Sequence, residues 1–229
     1  MPMCKGPKNE GNVIKGPWKK KSKREIVVPD VDVIALQENI MFADDLTESL
    51  LVQMIHTMGE NGVDISSKSF ISNLEISNSF ADGIDIDFGT VNFDGIFCKN
   101  INNDCLDVSS ATVEGINLKG NSIKDKGLSF GESSNGTIKK VNFKDSKLGI
   151  AVKDGSNLKI SEYILENNEL DVAIFNKKKE YEGAKLEIND SVGKNTFSYL
   201  VGKNNFIVKN KIPLTDYVDN KIINEFLYW

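Results

Sequence analysis

From Phe70 onward, apolar residues come in pairs separated by a single residue, and the pairs return every 22 positions. Five tetrads line up: GIDI at 83, CLDV at 105, GLSF at 127, GIAV at 149 and DVAI at 171. Ile84, Leu106, Leu128, Ile150 and Val172 form one column, and Ile86, Val108, Phe130, Val152 and Ile174 form a second. Alternation with period two predicts strands whose apolar residues share one face. A second set of short apolar strands, around Leu74–Ile76, Ile116–Leu118, Ile138 and Leu158–Ile160, falls once in each repeat between Asn/Asp/Gly/Ser turns.

A unit of this size with two or three short strands cannot bury its own apolar face and must stack on copies of itself. The predicted fold class is therefore all-β: a single-stranded parallel β-helix of about five to six 22-residue coils over 69–210. Its columns become interior ladders with a rung spacing of ~4.8 Å. The chirality bias of parallel crossovers makes the expected coil right-handed. The position before the first column reads Gly83, Cys105, Gly127, Gly149 and Asp171, mostly small, which suits a tight corner. Cys105 is accordingly read as a corner residue rather than a nucleophile, because no histidine lies near it in the repeat. Leucine-rich repeats are set aside, since their consensus and their helices are missing.

One helix signal precedes the repeats. Asp45 can cap, Glu48 follows three residues later, and Leu46, Leu50, Met54, Ile55 and Met58 recur at helical spacing until Gly59. This predicts a helix over 46–58, a short N-terminal cap within the segment 26–68, while the aromatic-rich residues 211–229 are expected to close the other end. His56, the only histidine, has no ligand-spaced partner and reads as structural.

Charge is uneven along the chain. Residues 1–24 hold eight Lys/Arg and one acid, residues 25–110 hold sixteen acids against Lys68 and Lys99, and the remainder holds eighteen Lys and sixteen acids. The basic start, residues 1–25, reads as a flexible tail, with nucleic acid an unlikely partner on that feature alone. Cys4, Cys98 and Cys105 suggest neither a disulfide framework nor a metal pair, so the expected fold rests on burial. No apolar run reaches the ~18 residues of a membrane span, and no secretion signal opens the chain. The expected location is cytoplasmic or virion-associated unless the chain is a fragment of an exported protein.

The acidic block falls on one face. With Ile84 and Ile86 inward, Asp85 and Asp87 point outward, and so does Asp107. Asp85 and Asp107 share a column one rung apart, so each should raise the other's pKa unless a cation sits between them. The pair is a candidate Ca²⁺ site on oxygen chemistry, and no other cofactor is called for. The corner column Asp82, Asp104, Lys126, with outward Lys153 beside it, adds the paired carboxylates that glycoside hydrolysis uses. The same charges also serve as a self-neutralising surface, with Lys126 above Asp104. A lysine base would need a lowered pKa, which the surrounding acids oppose. No phosphate-binding glycine loop exists, so no nucleotide is expected.

These rungs resemble the polygalacturonase-type glycoside hydrolases of the pectin-lyase-like superfamily, right-handed β-helices whose motifs read N-T-D, D-D-C, G-H-G and R-I-K on successive coils. FADGIDI (80–86), NDCLDV (103–108), DKGLSFGES (125–133) and GIAVKD (149–154) stand at matching places. The resemblance matches Asp82, Asp104 and Lys153 to family positions. Asn103, Lys126, Ala151 and Phe80 replace the other Asp, the His, the Arg and the Asn, so it implies the fold and the place of a site more than its activity.

A second resemblance, over roughly 70–200, is to bacterial β-helix modules often attached to spore-coat-H-type kinase domains, on DKGLSFGESS, GIAVKDGSNLKI and KKKEYEGAKLEI. It implicates Asp125, Lys126, Glu132, Lys153 and Asp154, with Lys177, Lys178 and Tyr181 on the next coil, and implies no phosphotransfer because no kinase domain is present. The stretch FADDLTESLLVQMIHTMGENGVDISSKSF also resembles short helical accessory proteins of T-even-like tailed phages.

The expected function is polysaccharide binding through the outward Asp/Lys face. Asp82, Asp104, Lys126 and Lys153 are the catalytic candidates. Asp85, Asp107, Asp125, Glu132, Asp154, Lys177, Lys178 and Tyr181 are the substrate contacts. An active hydrolase or lyase, and a structural virion module, are the alternatives.

Overall fold

The computed structural model describes residues 53–54, 61–66, 68–189 and 197–228. Among these, seventeen strands are divided between two sheets that face each other around one apolar interior. The long-strand sheet comprises β1 (Gln53–Met54), β3 (Lys68–Ser77), β5 (Thr90–Ile101), β7 (Thr112–Ile123), β9 (Asn135–Lys144), β11 (Asn157–Glu166), β13 (Lys185–Ile188), β15 (Phe206–Lys209) and β16 (Ile212–Leu214), in that spatial order. The short-strand sheet comprises β2 (Val63–Ile65), β4 (Ile84–Asp87), β6 (Leu106–Ser109), β8 (Lys126–Gly131), β10 (Leu148–Lys153), β12 (Leu170–Phe175), β14 (Tyr199–Gly202) and β17 (Tyr217–Val218). Every described pairing is parallel except that of β15 with β16. The chain is a parallel β-solenoid of about six turns.

The 22-residue columns are the actual strand register. Ile84 pairs with Leu106, Leu106 with Leu128, Leu128 with Ile150 and Ile150 with Val172, and all five are fully buried. The second column, Ile86 to Ile174, stacks in the same way. The solenoid starts earlier than residue 69, because β2 sets Val63 beneath Ile84. The corner before the columns needs small residues, since a Cβ on Gly83 would sit 2.6 Å from the Cys105 carbonyl oxygen.

Each long strand switches phase midway. Inward residues run Val91, Phe93, then Ile96, Cys98, with three positions rather than two at the switch. The residues at this bend, Asn73, Gly95 and Asn117, all have left-handed φ of 51°, 89° and 61°. Such an interruption turns the strand and returns apolar side chains to the interior. One residue of bulk is removed above it, for a Cβ on Gly115 would collide with the Phe93 ring.

Three expectations change. Cys98 and Cys105 are joined as a disulfide that closes a corner inside the core, with Cα atoms 5.7 Å apart, so the fold does carry a covalent staple. The helix expected over 46–58 lies outside the described residues apart from Gln53–Met54, which pair as a strand with Glu75 and Ile76. Within 211–229, β16 and β17 add to the last coil, while the helix α1 (Asn220–Tyr228), capped by the Asp219 carboxylate on the Lys221 N–H, folds back over the outside of the short-strand sheet. There Ile223 and Leu227 pack on Leu148, Ala151, Leu170, Ala173 and Phe175. No described helix is long and apolar enough to cross a membrane.

Candidate functional site on the short-strand sheet

The middle outward position of the short strands forms one column: Asp64, Asp85, Asp107, Ser129, Ala151, Ala173, Leu200. Its lower half is acidic and partly exposed, and its upper half is apolar and meets α1. Lysines bridge the two. Lys153 is only 7% exposed; its side chain crosses Gly131 and its Nζ donates to Ser129 Oγ at 2.8 Å. Lys126 is 3% exposed and its Nζ binds Asp104 Oδ1 at 3.2 Å and the Asp125 carboxylate. Tyr228 of α1 sets its ring 5.3 Å from Lys126 Nζ and 4.7 Å from Lys177 Nζ. These lysines are therefore held in the fold rather than spread over a solvated surface.

The corner carboxylates have a backbone role. Asn61 Oδ1 accepts the Asp82 N–H at 3.2 Å, Asp82 Oδ1 accepts the Asp104 N–H at 2.7 Å, and Asp104 Oδ1 accepts the Lys126 N–H at 3.0 Å. Each side chain thus ties its own coil to the next one up. Burial raises Asp82 to about 6, opposed by that N–H and helped by Asp107 and Asp85. Burial also pushes Asp104 up while Lys126 pulls it back down. For Lys126, burial disfavours the charge, but Asp104, Tyr228 and Asp125 together outweigh it and hold the pKa high.

Asp85 and Asp107 are paired in register, as their spacing predicts. Burial first, then Asp87, Asp107 and Asp64, raise Asp85 to about 7. Asn61 Nδ2 donates to Asp64 Oδ1 at 2.7 Å and reaches Asp85 Oδ2 at 3.4 Å. Asp107 Oδ1 is buried and accepts no hydrogen bond from the described residues. Among the described residues, no three His, Cys, Asp or Glu side chains converge as a metal cluster, so Asp85 and Asp107 offer a cation two carboxylates only.

The remaining candidates lie on the adjoining corner and loop. Asp154 Oδ1 accepts the N–H groups of Lys177 and Lys178 at 2.7 and 2.8 Å, and Glu132 takes the Lys178 ammonium at 2.6 Å. Tyr181 gives its carbonyl to Asn176 Nδ2 at 3.0 Å. Burial, then Lys153 and Lys126, lower the pKa of Lys177. Asp154 and Glu132 thus shape a loop that carries Lys177 toward Tyr228. Ser129, Asn61 and Tyr228 belong to the site but were not singled out by their residue types. The sequence signal for the cover is the loss of alternation in LGIAVK and DVAIF, where outward positions turn apolar.

The pH dependence follows from these acids. Asp82 and Asp85 have folded values of about 6 and about 7 against 3.8 otherwise, so between those limits the folded chain binds more protons than the unfolded one. Stability therefore falls as pH rises through this window. The melting temperature is expected to be several degrees higher at about pH 4 than at about pH 8. A flat or opposite profile by circular dichroism would contradict the assignment, and Asp85→Asn should flatten the slope.

In comparisons with protein-family models, curated proteins and solved structures, nothing matches the chain.

Proposed function

We propose that this β-solenoid binds polysaccharide on the outward face of the short-strand sheet. The observation that carries the reading is the in-register strip Asp64, Asp85, Asp107, bordered by Lys153 and Lys177 and by the Tyr228 ring. Carboxylates and ammonium groups at rung spacing offer regularly repeated acceptors and donors to sugar hydroxyls. Phe80 and Phe88, 72% and 75% exposed, flank β4 and offer apolar faces on either side of Asp85 and Asp87. Phe88 does so with φ of 59°, at a corner where the next coils carry Ser110, Glu132 and Asp154 with similar φ. That conformation is disfavoured for a bulky residue.

The raised pKa of Asp85 beside Asp107 favours a second reading, glycoside cleavage with Asp85 as the acid and Asp107 as the carboxylate. A rung spacing of ~4.8 Å is close to the ~5–5.5 Å between carboxyls in retaining enzymes. Asp82 and Asp104 fit that chemistry less well, because their oxygens hold backbone N–H groups.

The test is retention of the full chain on a panel of immobilised neutral and acidic polysaccharides, with new reducing ends measured in parallel. Retention by the parent and about tenfold weaker retention of Asp85→Asn/Asp107→Asn is the expected result. No retention on any polysaccharide would overturn the binding reading. Reducing ends released by the parent and lost in Asp85→Asn would establish cleavage.

A further inference from the structure

The two ends of the solenoid are finished differently. At the lower end the first interior column begins with Val63, which is buried. At the upper end the second column runs from Ile86 to Ile174, then to Val201, then to Tyr217. Every member from Ile86 to Val201 is fully buried, yet Tyr217 is 44% exposed, and Ile212, paired with Lys209 in the opposite sheet, is 65% exposed. Among the described residues no strand lies beyond β16 and β17, so the last layer of the interior faces outward. β16 reverses direction and carries Pro213, two features that stop strand addition rather than template it.

The helix α1 adds to the same end. It crosses the short-strand sheet from Asn220, which accepts the Asn176 N–H just past β12, to Leu227, whose carbonyl takes the Lys147 ammonium just before β10. Ile223 and Leu227 face the sheet. With 3.6 residues per turn, Tyr228 falls on one flank, toward Lys126 of the lower coils, and Ile222 and Phe226 fall on the other, toward the upper end. Both are open, at 56% and 53%. Lys221 and Glu225, one turn apart, stand on the outward edge of that apolar stripe.

We infer that the upper end is a docking surface for a second copy of the chain, related by a two-fold axis, with α1 antiparallel to its counterpart and Ile212 and Tyr217 covered beside it. Ile222 and Phe226 then pack on the same stripe of the other copy. An antiparallel pair sets Lys221 across from the partner's Glu225, and the two-fold axis repeats that contact, so the charges complement each other twice. The four open apolar side chains, at roughly 150–250 Å² each, offer ~400 Å² per copy. With an apolar share of about 60%, the pair buries about 1,400 Å² in all, inside the range of stable complexes. Because the column at the lower end begins with a buried residue, pairing closes at two copies instead of running on as a filament. The axis runs normal to the short-strand sheet, which leaves both charged faces uncovered and turned to the same side.

The experiment is sedimentation equilibrium of the full chain from about 1 to about 100 μM. A dimer is expected, with a Kd of about 10 μM or tighter. Phe226→Glu should weaken it at least tenfold, whereas Phe88→Glu, on an open ring of the lower coils, should leave it unchanged. Lys221→Glu and Glu225→Lys, each alone, should weaken pairing about tenfold by setting like charges face to face. An equimolar mixture of these two variants should pair as the parent does. Recovery on mixing cannot come from the Lys221–Glu225 contact within one helix, at 3.6 Å. A chain that stays monomeric throughout, a mass that climbs past two copies, or a dimer indifferent to Phe226→Glu would overturn the inference. So would a mixture that fails to recover.

Discussion

Replacing Lys126 with methionine is expected to destabilise the fold by about 3–5 kcal/mol, because it strands the Asp104 carboxylate, 2% exposed, without its cation. The loss should be largest above neutral pH. Burial already favours protonated Asp104, so at low pH the acid can take up a proton and shed the unpaired charge. Adding Asp104→Asn to Lys126→Met should recover most of the loss. An amide oxygen can still accept the N–H at position 126, which Asp104 Oδ1 now holds at 3.0 Å, and position 104 no longer carries a buried charge, while Asp125 keeps Lys147 as a cation at 3.7 Å. Urea titrations of the four members of this cycle read the effect directly. Equal instability of the single and double variants would show that the lysine matters for packing under Tyr228 rather than for charge.

Phe130→Ala should cost about as much, roughly 3–5 kcal/mol, by a different route. Phe130 is fully buried between Val108 and Val152 in its column, and a Cβ on Gly136 would lie 2.8 Å from its ring. The opposite wall thus already ends in a glycine and has no side chain with which to fill the void. Phe130→Leu keeps most of the volume and should cost less than half as much. Coils touch mainly their neighbours, so the damage should be local: hydrogen exchange is expected to accelerate first in β6, β8 and β10. Uniform acceleration across all coils would instead mean that the solenoid unfolds as one unit.

The interior was legible in the sequence because two periodicities coincide there. Alternation fixed which residues face inward, and the 22-residue step fixed which of them stack, so the columns from Ile84 to Val172 and from Ile86 to Ile174 are the observed ladders. The in-register Asp85–Asp107 pair followed from the same arithmetic. The burial of Lys126 was not legible, because its cover includes Tyr228 of a helix about a hundred residues away that folds back onto the outer face, a contact no local period records. Nor does any period link Cys98 to Cys105; they meet because the chain turns a corner between β5 and β6. The backbone duty of Asp82 and Asp104 was hidden for a related reason. A carboxylate that binds an N–H of the next coil has the same sequence signature as one that faces a ligand.

The position of α1 has a further consequence for how the molecule can change length. The helix is tethered through β17 to the last coil, and it reaches back only as far as Tyr228 allows, to Lys126. The solenoid is in effect a ruler, and the helix marks a fixed distance from one end of it. Insertion of one more 22-residue coil between β10 and β12 would carry that mark upward by a single rung of ~4.8 Å. Lys126 would lose its aromatic neighbour while the acids beneath it kept their register. Coil number above β8 therefore sets how much of the charged face is open, and a repeat gained or lost there would retune that face without altering any residue in it.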